Sequence, residues 1–283
     1  MRDSVERFGK SFRTRFTKPV VSAVELSRYI LLLLVLFLPG CREEDDSWTR
    51  IQQSGVLRVG LDPTYPPFEM ADGIPLEGFD VDLARAVAAD LGLTAEFTHF
   101  GYDGLYDALH TEQVDVLISG LVVFPERTRD FAYSESYFNA GQMLIAPEAA
   151  NRDVPALATI ESLNNHTLAV ELGAEGHVLA TTWERQLPEL TIMPYNSPDE
   201  ALTAVVSGEA DAVLIDSISG RLFLKNRAAN ELTTNFSLTA ITEEPFAFVT
   251  RIEDRELLEM LNESLRRLKE NGTLQTIDQR WLG

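Results

Sequence analysis

Two oppositely charged side chains follow two similar apolar segments, and their types suit the recognition of a small charged molecule. Arg127 comes shortly after VDVLISG, and Asp216 ends GEADAVLID. The planar guanidinium of Arg can hold a carboxylate through two parallel hydrogen bonds. A carboxylate beside a buried strand needs a cation or hydrogen-bond donors, because burial without them raises its pKa. If the two residues face one cleft, Arg127 could bind the carboxylate of a zwitterion and Asp216 its ammonium group.

Each candidate has a structural alternative. Arg127 alone could be an exposed surface charge, and Asp216 could be the N-cap of a helix. Tyr65 and Tyr102 could be ordinary core aromatics. Because both tyrosines follow predicted strands, where ligands of open α/β sheets bind, their position favours ligand contact.

Two similar α/β units must position these residues. The predicted strands are residues 56–61, 95–100, 114–119, 167–170, 191–194 and 211–215. Asp80 is predicted to cap a helix, because apolar residues at helical spacing follow it. A second helix is predicted after Gly176. The segment Ser197-Pro198-Asp199-Glu200 is a capping box with proline at the first helical position. Strands that alternate with helices indicate an α/β fold, and clefts between such units are favoured ligand sites.

The N-terminal segment predicts export. Its seven basic residues within residues 1–40 precede the apolar run YILLLLVLFL, which is too short to span a bilayer comfortably. The single cysteine, Cys41, ends LPGC, which resembles a bacterial lipoprotein signal in which the cysteine is lipidated. A chance free or buried thiol and an uncleaved signal anchor are the alternatives. Residues 1–41 are therefore predicted to be a signal segment and residues 42–54 a tether.

Charge and motif content exclude several function classes. Removing residues 1–40 takes seven basic and three acidic residues from a chain of net charge −20, which leaves −24. Such acidity argues against nucleic acid as a partner. The four histidines show no metal spacing, and the sequence contains no phosphate loop or nucleophile elbow. No cofactor, metal or catalytic residue is predicted, and we expect the protein not to be an enzyme.

The chain from Gly55 to Gly283 resembles the amino-acid class of bacterial solute-binding proteins that feed ABC importers, family 3. The resemblance rests on GVLRVGLDPTYPPFE, GFDVDLARAVAADLG, YDGLYDAL, VDVLISG with PERTRDFAYS, ADAVLID and LNESLRRLKENGTLQTIDQRWLG. It implies a periplasmic-binding-protein-like fold of type II, in which two α/β lobes are joined by two crossover strands. Lobe I would comprise residues 55–144 plus 245–283, and lobe II residues 145–244. The crossovers would lie near residues 142–146 and 245–250.

The resemblance also implies a ligand site and a function. The matching positions are Asp62, Tyr65, Tyr102, Ser119, Gly120, Val122, Arg127, Ala174, Glu175 and Asp216. Among them, Arg127 would clamp a carboxylate, Ala174 and Glu175 would offer helix N-terminal amides, and Asp216 would bind an ammonium group. The protein would capture a polar or basic amino acid by lobe closure. It would deliver the ligand to an ABC transporter permease at the periplasmic or extracytoplasmic face, anchored to the membrane through its N-terminal lipid.

An enzyme on the same fold is the alternative function. A periplasmic dehydratase acting on a small cyclic carboxylate would keep Arg127 as a clamp and need a poised acid, for which Glu175 is the best candidate. For a binding protein, an acid at Asp62 favours lysine, arginine or ornithine as the ligand. Because relatives that select neutral polar amino acids also carry an acid there, ligand identity stays open.

Overall fold

The computed structural model describes residues 47–71, 75–148, 157–228 and 235–283. All of them fall in one compact unit of the chain, which begins at Asp45. The predicted signal segment with Cys41, and the first part of the predicted tether, lie outside the described residues. Among those described, no helix is both long enough and apolar enough to cross a bilayer.

Strands and helices alternate through most of the described chain. In chain order the strands are β1 (Val56–Leu61), β2 (Thr64–Tyr65), β3 (Glu69–Met70), β4 (Thr94–His99), β5 (Val116–Leu117), β6 (Phe131–Tyr133), β7 (Phe138–Asn139), β8 (Gln142–Pro147), β9 (Thr167–Glu171), β10 (Thr191–Tyr195), β11 (Ala212–Asp216), β12 (Phe236–Ala240), β13 (Pro245–Phe246) and β14 (Val249–Arg251). The helices are α1 (Ser47–Ser54), α2 (Phe79–Asp90), α3 (Leu105–His110), α4 (Glu175–Trp183), α5 (Pro198–Ser207), α6 (Ser217–Ala228), α7 (Arg255–Glu270) and α8 (Thr273–Leu282).

The strands form two five-stranded sheets, as the two-unit prediction requires. The first has the order β4-β1-β5-β14-β6 and the second β10-β9-β11-β8-β12. In the first sheet β1 is parallel to β4 and β5, and in the second β9 is parallel to β10 and β11. The remaining pairings in both sheets are antiparallel. The parallel neighbours place the carboxyl ends of β1 with β5, and of β9 with β11, at the same edge of their sheets.

The inner strands of the second sheet, such as β11, are buried on both faces, which explains their continuous apolar runs. Consecutive residues of one strand point to opposite faces. Leu214 accordingly joins a core cluster with Trp183 of α4, whereas Val213 joins a second cluster with Phe223 of α6. Both faces of the strand need apolar side chains, so the strand sequence does not alternate with polar residues.

Local signals account for helix α5. The Ser197 hydroxyl accepts a hydrogen bond from the Glu200 N–H (3.3 Å), and the Glu200 carboxylate accepts one from the Asn196 N–H (3.1 Å). Pro198 occupies the first turn, and Gly208 ends the helix in the left-handed region at φ 79°. The predicted capping box is therefore confirmed.

Asp80 does not cap helix α2, contrary to the prediction. Gly78 is the N-cap residue and makes no side-chain capping bond. Asp80 lies inside the first turn and is fully buried. Its carboxylate accepts hydrogen bonds from the Gly120 N–H (2.7 Å) and the Tyr137 hydroxyl (2.9 Å), both of which lie outside the helix.

The chain passes between the two sheets at a pair of short antiparallel strands. β7 pairs with β13, with Phe138 opposite Phe246 and Asn139 opposite Pro245. The predicted return crossover at residues 245–250 begins at this pair. The first crossover lies earlier than predicted, because β8 is already the fourth strand of the second sheet and pairs with β11.

Residues 47–54 are not a tether. They form helix α1, in which Trp48 and Ile51 are buried in the same core cluster as Leu261 of α7. The acidic composition of residues 42–46 suggested a solvated segment, but the apolar pair Trp48 and Ile51 lies on one helix face. Burial of these two side chains therefore makes α1 part of the fold.

Buried Asp115 connects α1 to the first sheet. Its carboxylate accepts bonds from the Arg58 side chain (2.6 and 3.1 Å), the Arg58 N–H (3.0 Å) and Arg50 of α1 (3.0 Å). Burial opposes ionisation of Asp115, but the hydrogen bonds from Arg58 outweigh it and lower the pKa of Asp115. The ionised carboxylate thus joins strand β1, helix α1 and the segment that precedes β5.

We expect Asp115→Asn to lower the free energy of unfolding by about 1–3 kcal/mol at neutral pH, because an amide NH₂ would face Arg donors. The lowered pKa makes this contribution complete above the unfolded-state value of about 3.9 and lost as pH falls through the folded-state value. Urea unfolding at neutral and acid pH measures both effects. Glu259→Gln, at an exposed position of α7, is the matched acid-to-amide control. Equal stability of the two variants at neutral pH would contradict this role of Asp115.

Candidate ligand-binding site

A cavity of about 500 Å³ lies where strand ends of the two sheets meet. Asp62 and Ser119 enter it from the first sheet, just beyond the carboxyl ends of β1 and β5. Asp216 enters from the end of β11. The cavity is lined by Asp62, Thr64, Tyr65, Glu69, Tyr102, Ser119, Gly120, Val122, Ala140, Gln142, Glu175, Asp216, Ile218, Glu244 and Phe246.

Asp62 organises the loop that follows β1. One carboxylate oxygen accepts a hydrogen bond from the Tyr102 N–H and the other from the Thr64 hydroxyl, both at 2.8 Å. The Asp62 N–H donates to the Ser119 hydroxyl at 3.0 Å. Asp62 therefore lines the cavity and at the same time holds the backbone that presents Tyr102.

Tyr65 and Tyr102 are not core residues. Their exposed fractions are 40% and 49%, and both line the cavity. The Tyr65 ring stacks on buried Phe68 with a centroid distance of 5.5 Å. Burial, with a further contribution from Asp216, raises the pKa of Tyr65 to about 12. The phenol is therefore neutral at physiological pH and can act as a hydrogen-bond donor.

Ser119 and Gly120 form the floor of the cavity beyond β5. The Ser119 hydroxyl donates to the Glu69 carboxyl at 2.5 Å. Gly120 has φ +53°, and a Cβ added there would lie 2.8 Å from the Tyr65 ring. Glycine is therefore needed both for the backbone conformation and for the close approach of the ring. The Gly120 N–H points to Asp80 and away from the ligand space.

Val122 lies on the cavity wall opposite the crossover strand β13. It forms an isolated antiparallel bridge with Phe246. The flanking bonds, from the Val123 N–H to the Pro245 carbonyl and from the Ala247 N–H to the Leu121 carbonyl, make this a non-hydrogen-bonded pair. The peptide N–H of Val122 is therefore directed away from β13.

Asp216 caps a helix and also lines the cavity. One carboxylate oxygen accepts a hydrogen bond from the Ser219 N–H at 2.8 Å, which is the geometry of an N-cap for α6. The residue also lines the cavity from the side of the second sheet. The helix N-terminus can thus stabilise a carboxylate that faces the ligand space.

Glu175 and Glu244 form a second acidic group on the cavity wall. Glu175 is the first residue of α4, where the helix dipole favours an acid. Burial and then the nearby Glu175 raise the pKa of Glu244. One carboxyl of this pair therefore retains its proton to a higher pH than an isolated glutamate does.

Two predicted ligand residues do not line the cavity. Arg127 lies in a short 3₁₀ turn, and its guanidinium stacks over the Tyr106 ring, 3.9 Å from the centroid. Ala174 precedes α4, and its N–H donates to the Glu171 carbonyl at 3.2 Å. The Ala174 amide is thus already bonded within its own turn, and its contact with a ligand stays a prediction.

The sequence reasoning also missed several residues of the wall. Glu69 stands in the quoted motif GVLRVGLDPTYPPFE, and Gln142 stands at the predicted first crossover. Glu244 immediately precedes the predicted return crossover. Proximity to a crossover was a usable signal, because both crossovers pass the cleft. Phe246 lies inside the predicted return crossover and shares that signal, and Thr64 stands in the same motif as Glu69. Ala140 and Ile218 gave no separate sequence signal.

The wall is strongly acidic. Five of the lining residues, Asp62, Glu69, Glu175, Asp216 and Glu244, carry carboxyl groups. No lysine, arginine or histidine is among the lining residues that the structure describes. Within the described ranges, no group of His, Cys, Asp and Glu side chains is placed to hold a metal ion. The described wall is therefore a negative surface, which attracts positively charged groups.

Known proteins resemble this chain over most of its length. The "Arginine-binding extracellular protein ArtP" of Bacillus subtilis is 25% identical, with 90% of this chain and 98% of the relative covered. The "L-cystine-binding protein TcyJ" of Escherichia coli is 26% identical, with 83% and 85% covered. A solved structure, the "Ancestral Cationic Amino Acid Solute Binding Protein (AncCDT-1)", is 32% identical with a TM-score of 0.57, and 83% of this chain and 99% of that chain are covered.

These similarities agree with the observed architecture of two α/β lobes that meet at a cleft, which is the type II periplasmic-binding-protein-like fold. The family model for bacterial extracellular solute-binding proteins, family 3, matches residues 57–283, and this chain belongs to that family.

Proposed function

We propose that the protein captures a cationic amino acid such as L-arginine outside the cytoplasm and delivers it to an ABC importer. The observation that carries the proposal is the cavity wall, in which the carboxyl groups of four residues face one space and that of buried Glu69 lies beneath its floor, without a basic side chain among the described lining residues. The four residues are Asp62, Glu175, Asp216 and Glu244. A ligand with two positive groups compensates such a wall. Asp216 would bind the α-ammonium group, and the acids elsewhere on the wall would bind the cationic side chain.

The ligand's α-carboxylate needs a separate partner, for which Arg127 is the candidate. Its guanidinium lies on Tyr106, a contact of about 0.5–2 kcal/mol. A hydrogen bond to a charged group contributes about 1.5–3 kcal/mol, and a bidentate Arg–carboxylate pair contains two. A bound carboxylate can therefore draw Arg127 from the ring towards the cavity. Arg127 lies between β5 and β6 of the first sheet, as Ser119 does, whereas Asp216 ends β11 of the second sheet.

Capture would proceed by closure of the two lobes. The short strands β7 and β13 connect the sheets, and a few residues at such a connection can absorb a hinge rotation. A ligand that contacts Asp62 and Tyr102 on one side and Asp216 on the other favours the closed state, because only that state makes both sets of contacts. The membrane partner would be the importer's permease, and lipid on Cys41 would keep the protein at the membrane surface.

A dehydratase-like activity is the second candidate, and the Glu175–Glu244 pair favours it. The raised pKa of Glu244 leaves a protonated carboxyl available in the cavity at a higher pH than usual. Such a group could donate a proton to a leaving hydroxyl of a small cyclic carboxylate. The two functions differ in whether the bound molecule is recovered unchanged.

A thermal-unfolding screen of residues 42–283 tests the ligand class. We expect L-arginine, L-lysine or L-ornithine at about 100 times Kd to stabilise the protein by about 2.7 kcal/mol, and L-alanine and L-glutamate not to do so. This corresponds to a Tm increase of roughly 5–10 °C for a domain of this size. Stabilisation by acidic amino acids alone would contradict the proposal. Conversion of an added cyclic hydroxy acid, followed by NMR, would establish the enzymatic alternative.

We expect Asp216→Asn to weaken L-arginine binding by about two to three orders of magnitude, because the α-ammonium group would lose its charged partner. The new amide oxygen can still accept the Ser219 N–H bond, so the cap of α6 and the Tm of the ligand-free protein should change little. Isothermal titration calorimetry measures the affinity. Glu184→Gln, on the exposed end of α4, is the acid-to-amide control. A change below about fivefold would rule out this assignment of Asp216.

Arg127→Ala should lower the affinity for L-arginine about 100-fold but leave agmatine, which lacks the carboxylate, within about threefold. The reason is that Arg127 would contact only the group in which the two ligands differ. Calorimetry with both ligands gives the comparison, and Arg129→Ala in the same exposed segment is the control. If agmatine and L-arginine lose affinity equally, Arg127 supports the fold of the loop and is not the carboxylate clamp.

A further inference from the structure

Two acidic side chains lie directly beneath the cavity floor. Glu69 belongs to strand β3 and Asp80 to the first turn of α2. Both are 0% exposed, although Glu69 borders the cavity. The ligand contacts assigned above use Asp62, Asp216 and Arg127, so they give this buried pair no role.

Three of the hydrogen bonds to this pair come from the cavity floor and its support. One Glu69 oxygen, Oε1, accepts the Ser119 hydroxyl at 2.5 Å. One Asp80 oxygen, Oδ2, accepts the Gly120 N–H at 2.7 Å and the Tyr137 hydroxyl at 2.9 Å. The pair therefore determines where the Ser119 hydroxyl and the Gly120 peptide point. Ser119 in turn holds the N–H of Asp62.

The second oxygen of each carboxyl group has no hydrogen-bond donor in the part of the chain that the structure describes. Glu69 Oε2 and Asp80 Oδ1 are buried and receive no hydrogen bond from any donor among the described residues. The two carboxyl groups interact directly with one another. Two carboxylate oxygens are both acceptors, so they can form a hydrogen bond only if a proton lies between them.

The surroundings also favour retention of a proton. Burial raises the pKa of Glu69, with Asp80 as the next contributor, and burial likewise raises the pKa of Asp80. The titratable groups that face the pair are Tyr137, Tyr65 and Asp62 on the same side of the cavity. Asp216 and Glu244 face the same space from the other side. These neighbours are acids and phenols, so none of them supplies a positive charge to stabilise two buried carboxylates.

We propose that Glu69 and Asp80 share one buried proton and act as positioning residues for the Ser119–Gly120 floor of the ligand site. The shared proton replaces a repulsion between two carboxylates with a hydrogen bond, and it limits the charge beneath the cavity to one. Loss of the proton at alkaline pH places two like charges in contact. They separate, and the Ser119 hydroxyl and the Gly120 N–H move with them.

Glu69→Gln is the variant that imitates the protonated state. Its amide oxygen can accept the Ser119 hydroxyl, and its NH₂ can donate to Asp80 without a titrating proton. Asp80→Asn also supplies a donor, but it moves the charge to Glu69. Asp115→Asn is the control, because Asp115 is a fully buried acid directly before β5 that does not line the cavity.

Two measurements on the ligand-free protein test whether Glu69 and Asp80 share a proton. Infrared spectroscopy should show a protonated-carboxyl C=O band at neutral pH in the wild type and in Asp115→Asn, and its loss in Glu69→Gln and Asp80→Asn. The amide-proton NMR signal of Gly120 should move as pH is raised in the wild type and stay in place in Glu69→Gln. Absence of the C=O band from the infrared difference spectrum of wild type minus Glu69→Gln, in which a contribution from Glu244 cancels, overturns the proposal. The same Gly120 titration in both proteins also overturns it.

A third measurement concerns the ligand and therefore rests on the proposed function. The ratio of the L-arginine Kd of the wild type to that of Glu69→Gln should rise by about threefold or more between about pH 7 and about pH 10, since one proton can change an equilibrium up to tenfold per pH unit. The ratio removes the titration of L-arginine itself. A constant ratio overturns the positioning role. If neither protein binds L-arginine, the proposed ligand is wrong, and the infrared and NMR results alone decide the proton pair.

Discussion

The Ser119 hydroxyl is the group on which the geometry of the cavity depends. It accepts a hydrogen bond from the Asp62 N–H and donates one to Glu69, so it ties the ends of β1 and β5 to the β2–β3 hairpin. A hydroxyl can do both because it carries one donor and two acceptor lone pairs. Leaving a buried polar group without its partner costs about 1–3 kcal/mol, so these segments cannot move independently at small cost. The half of the cavity beneath Tyr65 and Tyr102 is therefore preorganised before a ligand arrives.

Dipoles and hydrogen bonds stabilise the acidic wall, and no basic side chain is among the lining residues that the structure describes. Two unit charges 4 Å apart interact by about 4 kcal/mol at an effective dielectric constant of about 20, so ionised carboxylates that share one cavity repel appreciably. Asp62 is stabilised by the Tyr102 N–H and the Thr64 hydroxyl, and Asp216 by the N-terminus of α6. Donors of this kind stabilise a carboxylate without cancelling its charge. The wall therefore keeps its attraction for a positively charged ligand.

Contacts of helix α6 connect the two sheets in addition to the crossover strands. Helix α6 follows β11 of the second sheet, yet its Arg221 forms two hydrogen bonds, of 2.8 and 2.5 Å, with Asp278 of α8. Ile218 and Leu222 of α6 pack against the core cluster of the first sheet. Because Asp216 caps this same helix, any rotation of α6 relative to α8 also moves the Asp216 carboxylate. The position of one ligand-binding group is thus linked to the relative orientation of the two lobes.

The sequence by itself determined the alternation of strands and helices, and hence the two α/β units with residues at strand ends. The spacing of apolar residues and the residues that cap helices are local features of a sequence. The capping box of α5 and the strand Val56–Leu61 were therefore predictable. Tertiary structure alone decided which side chains meet. Tyr106 comes from a different element and holds the Arg127 guanidinium, so no local pattern could show that Arg127 stacks on this ring and does not line the cavity. The sequence likewise could not show that Asp80 reaches Gly120 and Tyr137, since contacts between residues 40 or more positions apart depend on how the elements pack.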